Sequence, residues 1–287
     1  MIEVIFLMAL ALIWLTFASI HDVKTTEVPD WLNFSLIAFA LGFRFFYSLF
    51  ALGNFSFFFQ GLIGLGIFFV LGNVFYYSKM FAGGDAKLMI ALGTILPFSF
   101  NFVENIKLFL AFLALFLISG AFFGIFTSSY FAIKNKIEVK KEFSKLFSKN
   151  KKEILLVMAL GVLIMLLGLF SQEIIIYSGI FVFFSPFTYL IVKAIDESCM
   201  VRVVDVKSLR EGDWLYKPIL IGNKKILAKW EGLTQKEIKL IQQNKKFVKI
   251  KKGIPFVPVF LVSFVFLILV YFFVFPISDV LFQIFPF

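Results

Sequence analysis

The sequence predicts an all-α polytopic membrane protein, built from about eight apolar segments, with a small α+β cytoplasmic domain. Three observations carry this expectation. The chain is 61% hydrophobic over 287 residues, with a mean hydropathy of +0.95, whereas apolar residues make up about half of an ordinary soluble domain. Apolar runs near the length needed to cross a bilayer recur along it. Those runs are continuous, and a transmembrane β-barrel would instead alternate apolar and polar positions.

The runs cover residues 2–20, 31–50, 57–78, 86–98, 106–133, 154–170, 174–195 and 256–275. The first begins with Met1-Ile2-Glu3-Val4, without a basic n-region or a small-x-small cleavage site. It is therefore expected to be retained as a helix. The second opens after Pro29-Asp30, with Asp30 in position to cap it, and holds Arg44 near its outer end, read as a snorkelling side chain. The fourth is too short to span a bilayer at 1.5 Å per residue. Either it extends through 99–103 or it starts below the membrane surface, with Asp85 at its head.

Basic residues set the orientation. Eight Lys fall in 134–152, fifteen Lys or Arg in 193–252, and Lys24, Lys79 and Lys87 in two further loops. If every segment crosses once, 26 of the 28 basic residues lie on one side, and only Arg44 and Lys107 fall elsewhere. The positive-inside rule makes that side cytoplasmic and puts both termini outside. The expected organisation is membrane helices over 1–133, a basic cytoplasmic loop over 134–153, two further membrane helices over 154–195, a soluble cytoplasmic α+β domain over 196–253, and a C-terminal membrane helix over 254–287. Within the soluble stretch, Val201–Val204 reads as a strand and Trp214–Ile221 with Lys225–Trp230 as a hairpin around Gly222-Asn223-Lys224. Thr234-Gln235-Lys236-Glu237 reads as a capping box opening a helix to about Gln243. Phe247–Ile250 reads as a last strand.

Composition narrows the function. The net charge of +10 belongs to basic loops at a membrane, and no nucleic-acid motif accompanies it. One cysteine, Cys199, allows no internal disulfide and no cysteine metal cluster. One histidine, His21, allows no multi-histidine metal site. No metal and no cofactor are expected, and the Phe-rich runs read as lipid-facing or packing residues. The expected partners are the lipid bilayer and a polypeptide substrate, not nucleic acid.

Two carboxylates stand out. Asp22 ends the first segment, and Asp85 follows Gly83-Gly84 at the start of the fourth, both on the cytoplasmic side. A carboxylate at the membrane is expensive and marks a functional site by default. If the two segments pack together, the acids meet at one depth and cannot both ionise. One then keeps a proton while the other serves as base toward water. The helix ends predict which: a helix N-terminus favours the anion on Asp85, and a C-terminus disfavours it on Asp22. Gly83 and Gly84 let a backbone come close to the acids. Lys87 reads either as a group tuning Asp85 or as an interfacial anchor. Lys24, Glu27 and Asp30 lie on the same loops, and Glu27 and Asp30 are candidates to bind a positively charged substrate segment. A membrane ion or proton carrier using the same carboxylates is the alternative reading, although no apolar segment has an acid at its centre. A scaffold presenting the soluble domain is a third, and it leaves both aspartates without a role.

The motifs also resemble a known family. Asp22-Val23-Lys24-Thr25-Thr26-Glu27-Val28-Pro29-Asp30-Trp31 is similar to the first aspartate motif of the type IV prepilin peptidases. That motif has an Asp, a basic residue two positions on, and an Ile/Val-Pro-Asn/Asp step. Ala82-Gly83-Gly84-Asp85-Ala86-Lys87 is similar to their Gly-x-Gly-Asp motif with a Lys beyond. The 63-residue separation of the acids fits, as does Gly253-Ile254-Pro255-Phe256-Val257-Pro258 opening the last segment. The resemblance covers roughly residues 1–100. It implies an aspartic endopeptidase with Asp22 and Asp85 as the catalytic pair. Its substrate would be a type IV pilin-like or archaellin precursor, whose short basic leader is cut at the cytoplasmic face. Ala82 replaces the motif's first glycine. The cysteine cluster of many bacterial members is absent, so no methyltransferase activity is expected. The soluble insert looks more like archaeal prepilin or preflagellin peptidases.

Overall fold

The computed structural model describes residues 2–170, 172–222 and 224–273. The protein divides into two compact units, residues 1–123 with 254–287, and residues 124–253. The first unit holds α1 (Ile2–Thr25), α2 (Asp30–Tyr47), α3 (Ser56–Tyr77), α4 (Gly83–Leu92), most of α5 (Phe102–Lys134) and α10 (Val257–Phe273). A π-helical turn, Ser48–Leu52, lengthens α2. The second unit holds the end of α5, α6 (Lys136–Lys149), α7 (Lys151–Leu169), α8 (Glu173–Cys199), α9 (Gln235–Asn244) and five strands. Among the described residues, six helices are long and apolar enough to cross a membrane: α1, α2 with its π turn, α3, α5, α7 and α8. Their outward faces carry Phe17, Trp31, Phe34, Phe122 and Phe181, all well exposed, as a lipid-facing surface requires. Each of the eight apolar segments contributes a helix among the described residues, the fourth only as far as Leu92. The expected last segment, 256–275, and domain, 254–287, run beyond the described residues.

α4 packs on α3 and α2, and α1 packs on α10 and α2. The α3–α4 contact is made by absent side chains. A Cβ on Gly72 would stand 2.9 Å from the Ala86 carbonyl oxygen, and one on Gly64 would meet the Gly93 carbonyl and Pro97. Small residues let membrane helices approach to backbone contact, where dispersion and not hydrophobicity holds them. Gly64→Leu is therefore expected to lower stability by about 3 kcal/mol through overpacking, read from unfolding of the purified protein in mixed micelles.

The fourth segment resolves the question of its length. α4 has ten residues, about 15 Å or half the hydrocarbon thickness. It winds out through short turns at Gly93, Thr94 and Ile95 into irregular chain. Gly83 lies beside Tyr76 near the end of α3. Phe100 lies beside Phe57 at the start of α3, and its carbonyl accepts from Gln60 Nε2 at 3.3 Å. The stretch from Gly83 to Phe100 thus follows α3 from one end to the other as a half-helix and an irregular half. Non-helical backbone at membrane depth is tolerated only where protein satisfies it.

Arg44 supplies that satisfaction and is not a snorkelling residue. It has no solvent exposure. Its Nε donates to the Thr94 carbonyl at 2.8 Å, one terminal nitrogen to Phe57 at 3.0 Å, and the other to Ile95 at 3.1 Å and Pro97 at 2.6 Å. The guanidinium also lies 4.3 Å from the Phe57 ring centroid. A planar fork with five donors suits a cluster of carbonyls as a point charge does not.

In the second unit the expected basic loop is a helix. Along α6, Val139, Phe143, Leu146 and Phe147 recur at helical spacing and pack with Ile154 and Leu190 of α7 and α8, leaving the lysines outside. The strand-containing region begins at Val201 and is α+β. β1 (Val201–Asp205) and β2 (Trp214–Leu215) both pair antiparallel with β5 (Phe247–Lys251), in the order β1-β5-β2. β3 (Ile219–Ile221) and β4 (Lys224–Ile226) form a separate hairpin, and Trp214–Leu215 is not part of it. Asn223 of the expected turn lies outside the described residues. The capping box at Thr234 and Glu237 forms and opens α9. Val206, Leu215, Ile238, Ile241, Val248 and Ile250 make its core.

Candidate active site

Asp22 sits in the last turn of α1 and is 4% exposed. The helix stops four residues later, where Thr26 adopts a left-handed conformation (φ 58°) and its N–H donates to the Asp22 carbonyl at 2.7 Å. This is a helix-ending geometry usually given to glycine, here imposed on a β-branched residue. The ring of His21 donates to the Glu27 carbonyl at 2.9 Å, which ties the following loop back to the helix. Val28, buried in that loop, lies against Gly84, where a Cβ would stand 3.3 Å from the Val28 Cβ and 3.4 Å from its nitrogen. The close approach expected of Gly84 is thus made by the protein's own chain. At Gly83 the nearest atom to an added Cβ, on Tyr76, is 3.9 Å away.

Asp85 is placed from the other side. α3 ends in a tight turn with Lys79 left-handed (φ 62°), and the N–H groups of Met80 and Phe81 both reach the Phe75 carbonyl. Phe81 is buried among Phe75, Phe116, Phe256 and Phe260. Ala82 is extended and caps α4, which makes Asp85 its third residue. The Ala82 N–H reaches back to the Asp85 carboxylate, and Asp22 is the charged side chain that acts on Asp85. The two acids therefore share one site. α1 packs chiefly on α10 and α2, and α4 on α3 and α2.

The other expected residues sort by position. Asp30 is not a cap. It is the first residue of α2, whose N-cap Pro29 makes no side-chain bond. Its carboxylate takes Lys87 Nζ at 2.6 Å, an ion pair joining α2 to α4 at the exposed rim. Lys87 thus pairs with Asp30. Lys24 and Glu27 are exposed at the end of α1 and in the loop after it.

Three features escaped the sequence reading. Ser19, one turn before Asp22, and Asn33, in the first turn of α2, are buried with side-chain polar atoms that find no partner among the described residues. The third is α10. The Val257 N–H donates to Asp22 Oδ2 at 2.9 Å across 235 residues of sequence, and the Phe256 N–H reaches the same carboxylate. A main-chain donor has no letter of its own. The signal was Pro255-Phe256-Val257-Pro258, two N–H groups between two residues without one.

Both aspartates, all of α4 and most of α1 fall in one matched segment. Residues 9–129 match the type IV leader peptidase family. The family resemblance drawn from the two motifs stands. A preflagellin peptidase of Methanococcus maripaludis is 29% identical over 152 residues, 49% of this chain and 65% of its own length. A preflagellin peptidase of Methanocaldococcus jannaschii is 28% identical over 151 residues, 50% of this chain and 61% of its own length. The chain thus spans less than two thirds of the curated relatives it matches. No solved structure matches it. The family segment ends before α6, so the strand-containing region lies outside it.

Proposed function

We propose that the protein is a membrane aspartic endopeptidase. Its substrate would be a type IV pilin-like or archaellin precursor, whose short basic leader it removes at the cytoplasmic face. The observation that carries this reading is the shared site of Asp22 and Asp85 within a segment matching the leader peptidase family. The relatives' name, preflagellin peptidase, supports the substrate class. The excess of lysine in the loops supports a cytoplasmic site and outward termini.

The chemistry is general acid–base hydrolysis. One aspartate takes a proton from water as its oxygen attacks the scissile carbonyl, while the other gives its proton to the carbonyl oxygen. The product is a gem-diol. One gem-diol hydroxyl then returns its proton to the second aspartate, the first passes its own to the leaving nitrogen, and the C–N bond breaks. One water is consumed and the pair returns to its starting protonation. The decisive experiment mixes purified protein in detergent with a pilin-like precursor and follows the product by mass. A product cut at the leader boundary is expected; an uncut precursor, with the protein shown folded, overturns the reading.

Glu27 is assigned to leader recognition, with Lys24 at the rim beside it. The Asp30 charge is largely used by Lys87. Glu27→Gln is expected to lower kcat/KM about 2–5-fold for a Lys- or Arg-bearing leader, the range of an exposed ion pair. A leader with its basic residues replaced should lose nothing. Equal values for the two leaders in wild type and variant would remove Glu27 from recognition.

A further inference from the structure

We infer that the start of α10, the Phe256–Val257 backbone, is a positioning element that makes Asp22 the base and Asp85 the acid of the pair. The inference rests on the dyad reading and deepens it.

Pro255 and Pro258 have no N–H, so Phe256 and Val257 offer the two main-chain donors at the mouth of α10. The first N–H groups of a helix have no partner within it, and the helix dipole adds positive potential there. The Val257 N–H is spent on the Asp22 carboxylate at 2.9 Å, and the Phe256 N–H faces the same group. Asp85 has one such donor, the Ala82 N–H of its own helix cap. Hydrogen bonds from N–H groups stabilise a carboxylate anion over its acid, and the fixed bond from Val257 falls on Asp22. A helix-end argument from sequence alone puts the charge on Asp85, because it counts the helix each acid belongs to. It misses α10, whose N-terminus faces Asp22 although Asp22 belongs to another helix.

The geometry is also held in place. Val257 is wholly buried. The Phe256 ring packs on Phe81, Phe116 and Phe123. Phe81 is the residue before the Ala82 cap of α4, so one aromatic cluster fixes both the donors to Asp22 and the turn that presents Asp85. Val257 holds Asp22 Oδ2, and in this assignment the Asp22 carboxylate takes the proton from water. The proton needed on the scissile carbonyl then comes from Asp85.

The test removes one N–H. Val257 is the first residue of α10, a position where proline fits a helix because its N–H is not needed there. Val257→Pro, and separately an amide-to-ester replacement at Val257 that keeps the side chain, are assayed for precursor cleavage in detergent. Both are expected to lower kcat about 10–100-fold, the effect of one charge-assisted hydrogen bond, with KM within about twofold. An ester at Val265, mid-helix and away from the site, removes a helix hydrogen bond without touching Asp22 and should keep kcat. The ester decides the matter if Val257→Pro does not fold. An ester at Val257 with normal kcat, or one no worse than the ester at Val265, overturns the inference. Asp22→Asn is run beside them. If it is inactive while the Val257 ester is normal, the dyad stands and the role of α10 falls. If Asp22→Asn still cleaves, the dyad itself falls.

Discussion

Asp22→Asn and Asp85→Asn are each expected to lower kcat by at least about 10³-fold, within the range that general acid–base groups supply, while both proteins insert and unfold as wild type does. Asparagine keeps the shape of each side chain and can neither give nor take the proton. At Asp22 it still offers an oxygen to the Val257 N–H. Each substitution also leaves a single carboxyl in a site where two compete for one proton, so folding loses little. Activity therefore falls while stability holds, which separates a catalytic loss from a misfolded one. The double variant should be no slower than the worse single variant, because residues acting as a unit are not additive. Time courses of precursor cleavage and melting curves in the same detergent check all three proteins. More than about a tenth of wild-type activity in either single variant would be incompatible with general acid–base work worth 10²–10⁴-fold.

Much of this site is legible in the sequence for one physical reason. Where most residues are apolar, a carboxylate that costs several kcal/mol to bury has to be explained, and Asp22 and Asp85 are two such acids at the ends of apolar segments, apart from the Lys-rich loop. Hydropathy located the eight apolar helices for the same reason. What it did not separate was a continuous helix from a broken one. Residues 86–98 read as one apolar run, and nothing in their side chains marks the point after Leu92 where the helix unwinds, because the partner that permits it, Arg44, lies about fifty residues earlier. Arg44 itself fits two opposite roles by sequence, an arginine reaching out to water or one buried among carbonyls. At α6 the apolar spacing of Val139, Phe143, Leu146 and Phe147 was present, but eight lysines around it read as loop. Asp30 followed a Pro and read as a cap, yet Pro29 occupies that position and Asp30 turns to Lys87 on another helix. The donors from Phe256 and Val257 are backbone atoms, and only the prolines beside them leave a trace.

Arg44→Met is expected to lower stability by about 3–5 kcal/mol, since it withdraws four charge-assisted hydrogen bonds, each worth roughly 1.5–3 kcal/mol singly but not additive. Buried charges are often replaceable by apolar side chains at little cost, because removing the charge also removes its desolvation penalty. That exchange works when both partners of a pair leave together. Here the acceptors are the carbonyls of Phe57, Thr94, Ile95 and Pro97, which stay behind with no water at hand. Arg44→Lys should recover less than half of the loss, because an ammonium is a point donor and these carbonyls are spread around a planar fork. The damage should also reach the far end of α4. The irregular stretch held by Arg44 closes the helix that Asp85 opens, and a short helix of ten residues has little stability of its own. Reversible unfolding in mixed micelles gives the first number. Cleavage at a temperature where the variant stays folded gives the second, and kcat should fall there by about tenfold, as for a catalytic group displaced by a fraction of an ångström. A loss of stability under 1 kcal/mol would mean that the freed carbonyls find other partners, and the broken helix would then owe its shape to the glycine contacts between α3 and α4 instead.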